Sequence, residues 1–227
     1  MADSRYLVGL NLAQNRFIGS VVNLRGEIKK TVEVPVKGAD GSKAVQLVYQ
    51  ILDKLVEEEW KPVMGIGVGA PGLINTREGI VVTAVNLEWQ DLPLARLLEE
   101  RYHLPIRILN DSQATAIGEF VHGDHRSDGN LIVVNVSHGI GAGILINGRL
   151  FQGDGGSAGE IGHVLTQENG QLCRCGRKGC LETLASGWAI LQAARRLPYL
   201  SQATALDDAF QPAALANRMF RDRKSVV

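Results

Sequence analysis

The chain's three cysteines all fall in one short stretch, Cys173-Arg174-Cys175-Gly176-Arg177-Lys178-Gly179-Cys180. An odd, clustered set does not build a disulfide framework and points to a metal. Gly176 and Gly179 give the backbone the freedom to turn all three thiols inward. His163 lies ten residues upstream of Cys173, after Gly162, and is the best fourth ligand. Three thiolates and an imidazole suit zinc, and four protein ligands close a tetrahedral structural site. The competing reading is three buried free cysteines and an ordinary polar histidine.

The rest of the chain must fold around this staple. At 227 residues it has length for one or two domains, and 45% hydrophobic residues predict a packed core. Lys plus Arg and Asp plus Glu number 24 each, which gives no support for a broad nucleic-acid or membrane surface. No apolar run reaches a membrane span, and the first residues are too polar for a signal peptide, so a cytoplasmic protein is expected.

Apolar runs at Tyr6–Leu12, Phe17–Asn23 and Glu27–Val36 predict three strands. Spacings of three and four predict a helix over Ser42–Trp60 with Ser42 as N-cap. A strand over Val63–Val68, a helix over Leu92–Tyr102, a strand over Ile106–Leu109 and a helix from Ser112 to about Val121 follow. A second cycle opens with a strand over Asn130–Val136, a glycine-bearing turn over His138–Gly143 and a strand over Ile144–Ile146. Asn147-Gly148 predicts a hairpin returning through Leu150-Phe151. Helices are expected over Leu181–Leu197 and Ala203–Phe220. Leu7–Val22 and Leu131–Ile146 read as copies of one unit. The expected architecture is two α/β lobes, a small one over 1–109 and a large one over 110–227, with a cleft suited to a small molecule.

Five stretches carry a family resemblance: Gly65-Ile66-Gly67-Val68-Gly69-Ala70-Pro71-Gly72, Asn110-Asp111, Gly139-Ile140-Gly141-Ala142-Gly143, Glu160-Ile161-Gly162-His163, and Cys173 to Glu182. In this order they resemble the ROK family of repressors, open reading frames and sugar kinases. The resemblance implies an actin-like, two-lobed sugar-kinase fold of the ribonuclease H-like kind, with the zinc site beside a sugar pocket. It implies that Asn110, Asp111, Glu160, His163 and Glu182 contact sugar hydroxyls. Asn86 supplies the same chemistry, since a sugar needs converging amides, carboxylates and imidazoles. Each has a plainer reading: Asp111 as a helix N-cap, Asn86 closing a turn, Glu160 and Glu182 as solvated charges, and Gly153–Gly159 as a flexible connection.

As a kinase, the chain would use Asp111 as base, ATP with magnesium, and backbone N–H groups at Gly139, Gly141 and Gly143 around phosphate. The first phosphate turn departs from that pattern. Sugar kinases of the family carry an Asp and a glycine-glycine-threonine type loop there, whereas this chain reads Asn11-Leu12-Ala13-Gln14-Asn15-Arg16. The carboxylate that would organise magnesium is gone, and side chains stand where backbone should approach phosphate. The expected function is therefore the sugar-sensing domain of a ROK-type transcriptional regulator, with an ATP-dependent sugar kinase as alternative and a ligand-free remnant as a third reading. The resemblance further implies a homodimer, DNA contact only through a helix-turn-helix module absent from this chain, and a large lobe cut short at its C-terminal end.

Overall fold

Val8, Leu10 and Leu12 are buried on alternate positions of β1 (Tyr6–Leu12), the two-residue period of a strand with one face in a core. In this computed structural model, which describes residues 4–60, 62–123 and 129–196, β1 is central to a five-stranded sheet. It pairs antiparallel with β2 (Arg16–Asn23) and parallel with β4 (Val63–Ala70). β2 pairs antiparallel with β3 (Ile28–Pro35), and β4 pairs parallel with β8 (Ile106–Asn110). The sheet order is β3-β2-β1-β4-β8. Helix α1 (Gly41–Leu55) is the crossover from β3 to β4 and buries Val45, Val48, Ile51, Leu52 and Leu55 against β2 and β3. Its approach at Ile51 and Leu55 leaves no room for a side chain at Gly19 of β2. Helices α2 (Leu94–Tyr102) and α3 (Asp111–His122) pack on β8, and α3 also on β4.

Between β4 and α2 the chain forms a second sheet absent from the sequence expectation. It is an antiparallel meander of β5 (Leu73–Asn75), β6 (Ile80–Ala84) and β7 (Trp89–Leu92). The expected helix over Leu92–Tyr102 accordingly starts only at Leu94. A third sheet has the order β11-β10-β9, from β9 (Leu131–Val136), β10 (Ile140–Ile146) and β11 (Arg149–Leu150). This matches the β3-β2-β1 side of the first sheet, as the expected repeat requires. Among the described residues β9 is one edge of this sheet, and Ile132, Val134 and Val136 on it are exposed at 64%, 53% and 51%, where β1 buries its counterparts. The expected turn over His138–Gly143 is shorter: β10 begins at Ile140, so Gly141 and Gly143 lie in a strand.

Two helix expectations change at their ends. The first stops at Leu55 and leaves only a 3-10 turn at Glu58–Trp60; Glu57 adds negative charge just past the helix end, where the dipole disfavours anions. Asp40, not Ser42, is its N-cap, and no side chain caps it. The expected helix over Leu181–Leu197 is broken at Ser186 into α4 (Glu182–Ala185) and α5 (Gly187–Arg195), and the Ser186 Oγ accepts the Ala189 N–H at 3.1 Å. The Ala203–Phe220 expectation lies outside the described residues. The chain divides into two compact units, one of Met1–Val133 with Gly143–Gly159 and one of Val134–Ala142 with Glu160–Val227. No described helix is long and apolar enough to cross a membrane.

Candidate functional site

The residues singled out in the sequence fall in both units. In the first, β8 delivers Asn110 and Asp111 to the start of α3. Asn110, not Asp111, is the N-cap: its Oδ1 accepts the N–H groups of Ser112 at 2.9 Å and Gln113 at 3.4 Å, and its Nδ2 donates to the Gly72 carbonyl at 3.0 Å. Asp111 occupies the first helical position, with Oδ1 accepting the Ser112 N–H at 2.7 Å. The residue as a whole is half-buried. Desolvation pushes this carboxyl above the ordinary range, against the opposing hydrogen bonds from Ser112.

Asn86 is exposed in a 3-10 turn at Val85–Leu87 and donates to the Gln14 Oε1 at 3.5 Å. With Gln14, Asn15, Asp40 and Glu88 it lines a polar cavity of about 250 Å³. The β1–β2 turn that supplies Gln14 and Asn15 contains no residue in the left-handed backbone region. It is therefore closed without any need for glycine. A polar chain that the sequence did not flag pins the glycine loop to α3. Gln152 donates to Thr76 at 3.0 Å and Gln113 at 3.4 Å, and buried Gln113 donates to the Gly156 carbonyl. Gly153–Gly159 is thus anchored at its centre.

In the second unit, backbone pairing builds the cysteine hairpin. Cys173 N–H donates to the Arg177 carbonyl at 2.7 Å and Gly179 N–H to the Gln171 carbonyl at 2.9 Å. Gly176 and Gly179 take φ of +87° and +77°, and a side chain at 179 would strike the Gln167 carbonyl. Thr166 N–H bonds to the Gly179 carbonyl and Leu181 N–H to the Val164 carbonyl, which lays the segment after His163 alongside the hairpin. The four donor atoms of His163, Cys173, Cys175 and Cys180 all lie within 4.8 Å of one another. Neighbouring ligand atoms around a tetrahedral ion such as zinc are about 3.6–3.8 Å apart, given Zn–S of about 2.3 Å and Zn–N of about 2.0–2.1 Å. The Cys173 Sγ to His163 Nδ1 distance is 3.6 Å and the Cys175 Sγ to Cys180 Sγ distance 3.7 Å. The set fits a metal ion. By themselves the thiols differ: desolvation, then the neighbouring cysteines, push Cys180 up to about 12. Desolvation of Cys175 is outweighed by hydrogen bonds from Arg177 and the other two thiols, which bring it below its usual value.

The His163 Nε2 lies 3.7 Å from a Glu160 oxygen, beyond direct hydrogen-bond reach. Glu182 is not a solvated charge. Its side chain is 12% exposed, one oxygen accepts the Ile140 N–H at 3.0 Å, and the other lies 3.8 Å from the Arg174 guanidinium. A side chain at Gly139 would meet the Glu182 carboxylate, and one at Gly143 would meet Ser112 and Ala116 of α3. Packing against these neighbours gives both glycines a structural reason. His138, between them and β9, has a buried Nε2 without a hydrogen-bond partner, and burial together with the Arg174 charge holds its imidazole down to about 4. Nothing in the sequence pattern marked Arg174 or His138, because a charge in a turn reads as solvated until its partner is placed.

The sequence model of the ROK family matches residues 7–222. A xylose repressor from Caldicellulosiruptor bescii is 35% identical over 199 residues, covering 86% of this chain and 50% of the repressor. A glucokinase from Halalkalibacterium halodurans is 36% identical over 199 residues, covering 86% of this chain and 60% of the enzyme. The chain thus spans about half the length of the curated relatives it matches. The crystal structure of a ROK family glucokinase from Streptomyces griseus, in complex with glucose and AMPPNP, aligns with a TM-score of 0.79 at 26% identity over 96% of this chain and 72% of that one. The α/β architecture is the actin-like fold of these sugar kinases, and both repressors and glucokinases stand among the relatives. On the match over most of its length, this chain belongs to the ROK family.

Proposed function

We propose that the chain is the sugar-binding effector domain of a ROK-type transcriptional regulator, carrying one structural zinc on His163, Cys173, Cys175 and Cys180. The observation that carries the regulator reading is the β1–β2 turn. It holds Asn11 where a kinase of the family holds a carboxylate, and it presents the Ala13 and Gln14 side chains where a phosphate would need bare backbone. Gln14 is engaged with Asn86. The sugar is assigned to Asn110, Asp111, Glu160, His163 and Glu182, with Asn86 as a further candidate. When bound, zinc supplies rigidity and fixes the His163 ring through Nδ1. Nε2 is then presented as a donor for a hydroxyl. A carboxylate has about four acceptor positions, so Glu182 can hold the Ile140 amide and still accept from a sugar. A cytoplasmic homodimer fits this role, with DNA recognition assigned to a helix-turn-helix module.

An ATP-dependent sugar kinase is the second reading. It is favoured by Asp111, whose raised carboxyl is better suited to take a hydroxyl proton near neutral pH. Gly139, Gly141 and Gly143 would then face phosphate, and magnesium would accompany the ATP. Calorimetry with D-xylose and D-glucose, followed by a coupled ATPase assay with the tighter sugar, separates the readings. Binding without turnover is the expected result. Turnover abolished by Asp111→Asn would overturn the regulator reading, and no binding by a wider sugar panel would overturn both.

A further inference from the structure

Arg174 sits between two cysteines of the metal hairpin, and its guanidinium meets three features of the same unit. It lies 3.8 Å from a Glu182 oxygen and 5.6 Å over the Trp188 ring, and its charge reaches His138. Those partners hold the turn that follows β9. The second Glu182 oxygen accepts the Ile140 N–H, the Gly187 N–H donates to the Ser137 carbonyl at 2.7 Å, and the Trp188 N–H donates to the His138 carbonyl at 3.2 Å. A side chain added at Gly139 would collide with the Glu182 carboxylate in this position.

We infer that Arg174 is a positioning residue that couples the metal hairpin to the Ser137–Ile140 turn, by holding the Glu182 carboxylate on the Ile140 amide. The inference rests on the zinc reading and deepens the sugar one. The physical chain is short. Ligation of Cys173 and Cys175 fixes the backbone on both sides of Arg174. A fixed guanidinium opposes a carboxylate that is mostly buried, where the attraction is little screened by water. With the hairpin loose, Arg174 loses its anchorage, and Glu182 loses the charge that compensates its burial. Two sites biased through one element are linked in both directions, so sugar on Glu182 should also retain the metal.

The test uses the full chain, its Arg174→Ala and Arg174→Lys forms, metal analysis, and exchange of the Ile140 amide followed by NMR. Arg174→Ala should keep its metal but exchange Ile140 about tenfold faster, the scale of a typical coupling. Arg174→Lys should recover part of the protection, since it restores charge but not the stacked fork. Chelation of the unaltered chain should reproduce the Arg174→Ala exchange. In the presence of D-xylose or D-glucose, whichever binds, metal loss to chelator should slow in both forms, because His163 serves metal and sugar alike, but less in Arg174→Ala than in the unaltered chain. Full metal with unchanged Ile140 protection in Arg174→Ala would overturn the inference alone. Absence of metal from the unaltered chain would overturn the zinc reading and the inference with it. If Arg174→Ala does not fold, Glu182→Gln takes its place. It keeps an acceptor oxygen without the charge that Arg174 holds, and unchanged exchange there would be equally fatal.

Discussion

Replacing Asn110 by alanine tests whether a residue assigned to ligand binding is first a structural one. The side chain makes three bonds: two accepted from the amides of Ser112 and Gln113, and one donated to Gly72. Loss of an N-cap costs about 1 kcal/mol, and loss of one further partly buried hydrogen bond about another 1 kcal/mol. The expected destabilisation is therefore about 2 kcal/mol, or a fall in Tm of about 4–8 °C for a chain of this size. Asn110→Asp separates the contributions. It keeps the accepting oxygens and gains from the helix dipole, but it cannot donate to Gly72, so it should stay within about 1 kcal/mol of the parent. Urea unfolding followed by far-ultraviolet circular dichroism measures both. Asn110→Ala within about 0.5 kcal/mol of the parent, compared at the parent's midpoint urea concentration so that no extrapolation to water is needed, would refute the cap assignment. Equal loss in both variants would show that the Gly72 bond, not the cap, carries the cost.

Two further outcomes are expected. Gly179→Ala puts a side chain at φ +77° against the Gln167 carbonyl, and it should lower metal content below the parent's and destabilise the hairpin by about 1–3 kcal/mol; full metal loading at unchanged stability would contradict this. His138 is held at about 4 against an ordinary 6.5, so between those values the unfolded chain binds a proton that the native state refuses. Its contribution is complete above pH 6.5 and is lost as pH falls through that window. His138→Gln should flatten the pH dependence of urea unfolding there, and an unchanged slope would count against the assignment.

The legibility of the sequence follows the range of the forces involved. β1 and β2 were readable because alternate burial repeats over seven and eight residues. The β5–β6–β7 sheet was missed because strands of three to five residues scarcely establish a period, although the β-branched run Ile80-Val81-Val82-Thr83 was a usable signal. Gly141 and Gly143 read as turn residues because intrinsic preference was the only information available. Pairing within a sheet overrode it. The clustering of His163, Cys173, Cys175 and Cys180 was readable because a shared ion restricts the spacing of its donors. Glu182 was flagged without its partners, and Arg174 was not flagged at all. Their pairing depends on how the cysteine hairpin is placed beside the Ser137–Ile140 turn, which no local pattern encodes.

All four metal donors lie between His163 and Cys180, and every loop that the ion would close is short. Closing short loops costs little chain entropy and is fast, on the order of 10–100 ns for about ten residues. On the zinc reading, the ion would be captured by a nascent segment before the long-range β1–β4 and β4–β8 pairings form, since its site asks nothing of them. Metal supply during synthesis, more than metal concentration around the finished protein, would then set how much correctly folded chain a cell obtains.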